Sequence, residues 1–176
     1  RGIQFRPHTA AAGAESDWRL DPVPLLISPE DWRVLELGLI QRAQLLNAIL
    51  VDCYGPQTLI RSQWLPPALV FGQSRFLRSC HGLVPKRGAF LHFYAADVAR
   101  APDGQWWVLS DRTQIPAGAG YALANRLVAS RVFPAAFRAQ HVHRLAGFFR
   151  ARRLSLAELS LQEGREANVV LLSPGA

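Results

Sequence analysis

Two aspartates and two arginines stand close together in the middle of this 176-residue chain. They are Asp97 and Arg100, followed by Asp111 and Arg112. A carboxylate can hold a hard divalent cation such as Mg²⁺, which takes only one or two carboxylates and fills its octahedron with waters and phosphate oxygens. A guanidinium meets phosphate through a planar fork. Phosphoryl chemistry needs little beyond such positioning and charge neutralisation. The same residues also read as surface ion pairs at strand ends, and that alternative stays open. Downstream, Pro116-Ala117-Gly118-Ala119-Gly120 precedes a helical stretch. Glycines there let backbone N–H groups approach an anion, or form a flexible connection. The loop is neither a Walker A motif nor a Rossmann fingerprint.

A β-hairpin is expected to position the cluster. Ala89 to Arg100 reads as a strand rich in aromatics, Pro102-Asp103-Gly104 as a turn, and Gln105 to Ser110 as the returning strand. In that register Asp97 and Asp111 are expected to approach each other at one end of the hairpin. A long helix precedes it. Ser28 suits an N-cap, Pro29 the first helical position, and Glu30 and Asp31 the first turn. Trp32, Leu35, Leu39, Leu46 and Leu50 give helical spacing, and Gly55-Pro56 ends the run. Gln41, Arg42 and Asn47 are read as structural hydrogen-bonding groups on that mostly apolar helix.

Further elements follow from the same signals. A short strand is expected within Gly2–Arg6 and a helical turn around Gln57 to Ser62. Helices are expected from about Tyr121 to Val132 and from about Pro134 to Arg153. Asn168 to Leu172 reads as an apolar strand running into Ser173-Pro174-Gly175, like the first βα step of a parallel sheet. A lone C-terminal strand is the alternative. The expected fold is mixed α/β: an antiparallel hairpin-based sheet with long helices, ending in the first strand of a truncated Rossmann-like region. The expected organisation is an irregular segment over 1–27, the main domain over 28–165, and the start of a further α/β region over 166–176.

Composition narrows the function class. The formal net charge is +7 and the chain is 49% hydrophobic, so it can form a core and favours anionic partners. Lys86 is the only lysine and every other basic residue is an arginine. The arginines are spread along the chain, with no basic run of the nucleic-acid-binding kind. Cys53 and Cys80 make neither a disulfide scaffold nor a metal spacing, and Cys53 reads as a small core residue. The five histidines show no metal spacing. There is no Gly-x-Ser-x-Gly elbow and no His-Glu-x-x-His. No apolar run is read as a membrane span, and no signal peptide is visible, although the chain begins at Arg1. A cytoplasmic location is expected.

Several ordered blocks together carry a resemblance. They are Gln41-Arg42-Ala43-Gln44-Leu45-Leu46-Asn47, Asp52-Cys53-Tyr54-Gly55-Pro56-Gln57, Asp97 through Gly104, Asp111 through Arg126, and Leu171-Leu172-Ser173-Pro174-Gly175. From roughly residue 20 to its end the chain resembles the circularly permuted ATP-grasp family, which is related to the glutathionylspermidine synthase group. The resemblance implies the amino-terminal part of a longer ligase. Such enzymes join a carboxylate to an amine through an acyl phosphate, with ATP and Mg²⁺ as cofactors and small carboxylate, amine or peptide substrates. Carried over by position, it implies metal binding by Asp111 and Asp97 and nucleotide contacts from Asp97, Arg112, Gly118 and Asn125. It implies catalytic charge stabilisation by Arg100 and Arg126. Many relatives carry Glu-x-Asn or Glu-Asp-Asn on the metal-binding strand, where this chain has Ser110-Asp111-Arg112. That departure favours the alternative of a non-catalytic ATP-grasp-like binding domain. A basic nucleic-acid-binding module is the third reading, supported by charge alone. Neither membrane nor nucleic acid is the expected partner.

Overall fold

The 26-residue helix α1, Pro29–Tyr54, begins and ends where local chemistry directs. The Ser28 side chain accepts a hydrogen bond from the Asp31 backbone N–H at 3.0 Å. One of the N–H groups left over at a helix start is thereby satisfied. At the other end the N–H groups of Gly55 and Gln57 both close on the Asp52 carbonyl, at 3.1 and 2.8 Å. The Asp52 carboxylate then accepts from the N–H groups of Thr58 and Leu59 at 2.8 and 3.0 Å. This caps the short helix α2, Thr58–Arg61, so the Asp52–Gln57 block is a folded connection between α1 and α2.

The computed structural model describes residues 23–114, 116–160 and 167–170, with the backbone of two short strands at 4–5 and 16–17. Those strands, β1 (Gln4–Phe5) and β2 (Ser16–Asp17), pair antiparallel. β1 lies within the expected strand, and β2 is an addition to it. The chain divides into two compact units. The first comprises Arg1–Ile27 and Gly118–His143, and the second Ser28–Ala117 and Arg144–Ala176. Among the described residues the architecture is helices with two small antiparallel sheets.

In the second unit, α3 (Pro67–Phe71) and two tight helical turns at Arg78–Cys80 and Lys86–Gly88 lead to a hairpin of β3 (Ala95–Arg100) and β4 (Trp106–Arg112). The first strand of this hairpin is shorter than expected. Phe90 to Tyr94 form no strand, and the N–H groups of the first two bond elsewhere. The Asn47 side-chain oxygen accepts from the N–H groups of Phe90 and Leu91 at 2.9 and 3.0 Å, and its amide donates to the Gly88 carbonyl at 2.9 Å. Asn47 thus takes on part of the pairing a neighbouring strand would supply. The hairpin turn spans 101–105, with Gly104 at a φ of 86°, a left-handed conformation open to glycine without strain.

The expected helix from Pro134 to Arg153 is two helices, α5 (Pro134–Ala139) and α6 (Ala146–Glu158). His141 sits between them with a φ of 46°, which a right-handed helix does not allow. The first unit also holds α4 (Ala119–Val132), close to its expected span. The expected C-terminal strand is not formed over Asn168–Val170. Residues 171–176, and the rest of the expected Rossmann-like start, lie outside the described residues, as does the expected linker at 163–165.

Among the described residues only Leu35 and Cys53 are buried hydrophobics, and Cys53 is a small core residue as expected. Val34, Leu37 and Leu45 on α1 remain exposed. The expectation about membrane spans needs correction here: by length and composition alone α1 is long and apolar enough to cross a bilayer. Three of its polar side chains, however, are tied to protein partners. Arg42 binds Asp111, Asn47 binds Gly88 to Leu91, and Asp52 caps α2.

Candidate functional site

The strand register decides which polar groups meet. Arg100, Ala99 and Val98 of β3 pair with Trp106, Trp107 and Val108 of β4. The register then shifts, and Asp97, Ala96 and Ala95 pair with Ser110, Asp111 and Arg112. Leu109 is the extra residue in this bulge. Because successive side chains alternate faces, one extra residue exchanges the faces of everything beyond it. Asp97 therefore shares a face with Ser110 and Arg112, while Asp111 lies on the other. The expected meeting of Asp97 and Asp111 does not occur.

Each carboxylate instead has its own arginine. Arg112 donates to Asp97 from Nε at 3.0 and 3.2 Å and from Nη2 at 2.8 Å. The Ser110 hydroxyl donates to the same carboxylate at 2.5 Å. On the opposite face Arg42 of α1 donates to both Asp111 oxygens, from Nε at 2.6 Å and Nη2 at 2.7 Å. The Tyr94 hydroxyl adds a bond to Asp111 Oδ1 at 2.6 Å. Charge-assisted bonds of this length are the strong ones.

These contacts shift ionisation. The hydrogen bond from Arg112, with that from Ser110, holds the Asp97 carboxyl below the usual carboxylate range. Arg42, then Tyr94, does the same for Asp111. The Tyr94 phenol is pushed up to about 12, by desolvation first and by its bond to the Asp111 carboxylate second.

Arg100 lies toward the turn. Its Nε donates to the Gly104 carbonyl at 3.2 Å, its Nη1 stands 3.5 Å from Asp31 of α1, and its guanidinium lies 5.6 Å from the Trp106 ring centre. Gly118 is the residue before α4, with a φ of 112° that favours glycine. Asn125 and Arg126 are on α4, and Arg126 donates to the His143 carbonyl. Gly118, Asn125 and Arg126 thus belong to the first unit, and Asp97, Arg100, Asp111 and Arg112 to the second.

Sequence reasoning did not connect Arg42 or Tyr94 with this site. Arg42 carried a signal, as a charged residue in the middle of a mostly apolar helix. Tyr94 carried none, since its role depends on where the chain before β3 runs.

A two-carboxylate magnesium site does not fit these residues. Asp97 and Asp111 face opposite ways, and both oxygens of each already accept from a cationic group. No cluster of three or more His, Cys, Asp or Glu groups able to hold a metal exists among the described residues.

Two open cavities flank the hairpin. One of about 600 Å³ lies between α1 and β4, lined by Leu35, Leu39, Arg42, Leu45, Trp106 and Val108 among others. A smaller one of about 260 Å³ is lined by Phe90, His92, Phe93, Thr113, Pro116 and Arg152. There the Arg152 guanidinium lies 5.0 Å from the Phe93 ring centre.

Comparison with known proteins places the chain among relatives. The family model for circularly permuted ATP-grasp type 2 matches residues 24–176. An uncharacterized protein of Mycobacterium tuberculosis is 40% identical over 158 residues, covering 90% of this chain and 18% of its own. An uncharacterized protein of Synechocystis is 33% identical over 174 residues, covering 99% of this chain and 36% of its own. One of Mycobacterium leprae is 31% identical over 175 residues, covering 99% and 30%. The chain thus spans between about a fifth and about a third of the length of these relatives.

Proposed function

Because the chain belongs to the circularly permuted ATP-grasp type 2 family, we propose that it forms the amino-terminal part of a longer ATP-dependent ligase joining a carboxylate to an amine. ATP-grasp enzymes are in general ATP-dependent ligases that use Mg²⁺, and the family match over residues 24–176 carries this reading. In the proposed reaction a substrate carboxylate oxygen attacks the γ-phosphorus of ATP and ADP departs. The amine nitrogen then attacks the acyl carbon of the acyl phosphate. Inorganic phosphate leaves with the former carboxylate oxygen, and the nitrogen loses a proton.

Each step moves negative charge, which fixed guanidinium groups can stabilise. Arg112, on the face of Asp97 and Ser110, is assigned to the phosphates. No step is assigned to a metal held by Asp97 and Asp111 together.

A second reading has an observation in its favour. The arginines on both hairpin carboxylates suit a binding domain that retains the fold without the chemistry. Calorimetric titration of ATP into the full-length protein, followed by assay of ADP formation with mixed amino acids and polyamines, separates the two. Binding with turnover supports ligation. Binding that never yields ADP supports the binding domain, and absence of ATP binding by the folded protein would sink both.

A further inference from the structure

We propose that the Arg112 guanidinium takes, on Asp97, the place a divalent cation would take, and presents a built-in positive charge to a polyphosphate. The identity of that anion as ATP rests on the ligase reading above; the arginine seat itself does not.

The hydrogen-bond pattern carries the inference. A guanidinium has two bidentate edges, one formed by Nε and a terminal nitrogen and one by the two terminal nitrogens. Arg112 uses the first edge on Asp97, through Nε and Nη2. Its second edge, toward Nη1, has no bond among the described residues, and the side chain is 56% exposed. That edge matches two oxygens of a phosphate. The order carboxylate, guanidinium, phosphate is the same as carboxylate, metal ion, phosphate, with a fixed single charge in place of an exchangeable double one.

Competition with a metal favours the arginine. Asp97 is the only carboxylate of the hairpin on its face, and Ser110 and Arg112 already bond both of its oxygens. A divalent ion arriving there meets a positive charge held within hydrogen-bonding distance of its one anionic ligand.

The Arg42–Asp111 pair is different. It ties α1 to the hairpin across 69 positions of sequence, and Tyr94 packs onto it, so its role is mechanical. The Arg112–Asp97 pair joins only the two strands already paired, and its exposed edge is available for a ligand.

The test uses the full-length protein, with ATP and tripolyphosphate titrated calorimetrically in EDTA and in Mg²⁺, and Mn²⁺ titrated by electron paramagnetic resonance. Wild type is expected to bind ATP in EDTA within about threefold of its affinity in Mg²⁺. Arg112→Gln is expected to weaken both anions about tenfold or more in EDTA, as loss of a charge-assisted bond requires. Wild type is expected to show no Mn²⁺ site that Asp97→Asn removes. The double substitution Ser110→Glu with Arg112→Asn should create one, because it offers a hard cation two carboxylates.

A wild-type Mn²⁺ site lost with Asp97→Asn would overturn the proposal, as would ATP binding abolished by EDTA or anion affinity untouched by Arg112→Gln. These readouts stand even where the double variant fails to fold. Tripolyphosphate bound through Arg112 without any ATP binding would remove the nucleotide reading and keep the arginine seat. Loss of both anions from the wild type would remove both.

Discussion

Asp97 and Asp111 are held as carboxylates by the arginines bonded to them, and this has a consequence for acid stability. Their folded pKa values lie below the ordinary aspartate value. Their contribution is therefore present above the unfolded pKa, about 3.9, and is lost as pH falls through the lower folded value. The full-length protein should lose thermal stability from about pH 4 downward, and Asp111→Asn should flatten that loss in a melting series from pH 6 to 2. Near neutral pH Asp111→Asn should cost about 1 kcal/mol, because the pair is only partly buried and solvent screens it. A melting curve for Asp111→Asn as acid-sensitive as wild type would show that the Arg42 bond is not maintained in solution.

At the scale of elements, α1 acts as a spine with separate attachments. Asp31 meets Arg100, Arg42 meets Asp111, Asn47 gathers Gly88 to Leu91, and Asp52 caps α2. Asn47 stands out because it makes three bonds to backbone groups of one segment. Asn47→Ala should cost about 1–3 kcal/mol, since it leaves partly buried backbone donors without a partner. Amide hydrogen exchange should show Phe90 and Leu91 losing protection while the β3–β4 amides keep theirs. Unchanged exchange at those two amides would mean that the segment is held by something other than Asn47.

For the whole molecule, charge and apolar exposure pull in different directions. A net charge of +7 favours solubility and anion binding. Yet Leu35 and Cys53 are the only buried hydrophobics among the described residues, while Val34, Leu37, Leu45, Leu109 and Trp107 are exposed. These exposed apolar residues, in a chain whose relatives are roughly three to five times longer, lead to a prediction for the segment on its own. Expressed alone, residues 1–176 should bind a hydrophobic dye such as anilinonaphthalene sulfonate and self-associate, whereas the full-length protein should do neither. A monomeric, non-binding isolated segment with a sharp melting transition would refute this.

Local chemistry in the sequence was enough to determine the bounds of α1 and the hairpin turn at Gly104. Each depends on neighbours within a few residues: Ser28 on Asp31, Gly55 on Asp52, Gly104 on its own φ. The Asp97–Arg112 cluster was also legible as a concentration of charge, and the ordered motif blocks carried the family. What tertiary structure decided was who faces whom. The one-residue bulge at Leu109 placed Asp97 and Asp111 on opposite faces, and periodicity alone does not reveal a bulge. Asn47 took the N–H groups of Phe90 and Leu91, and Arg42 reached Asp111 from 69 positions away. Those pairings depend on how separate elements are brought together, which is a property of packing and not of sequence spacing.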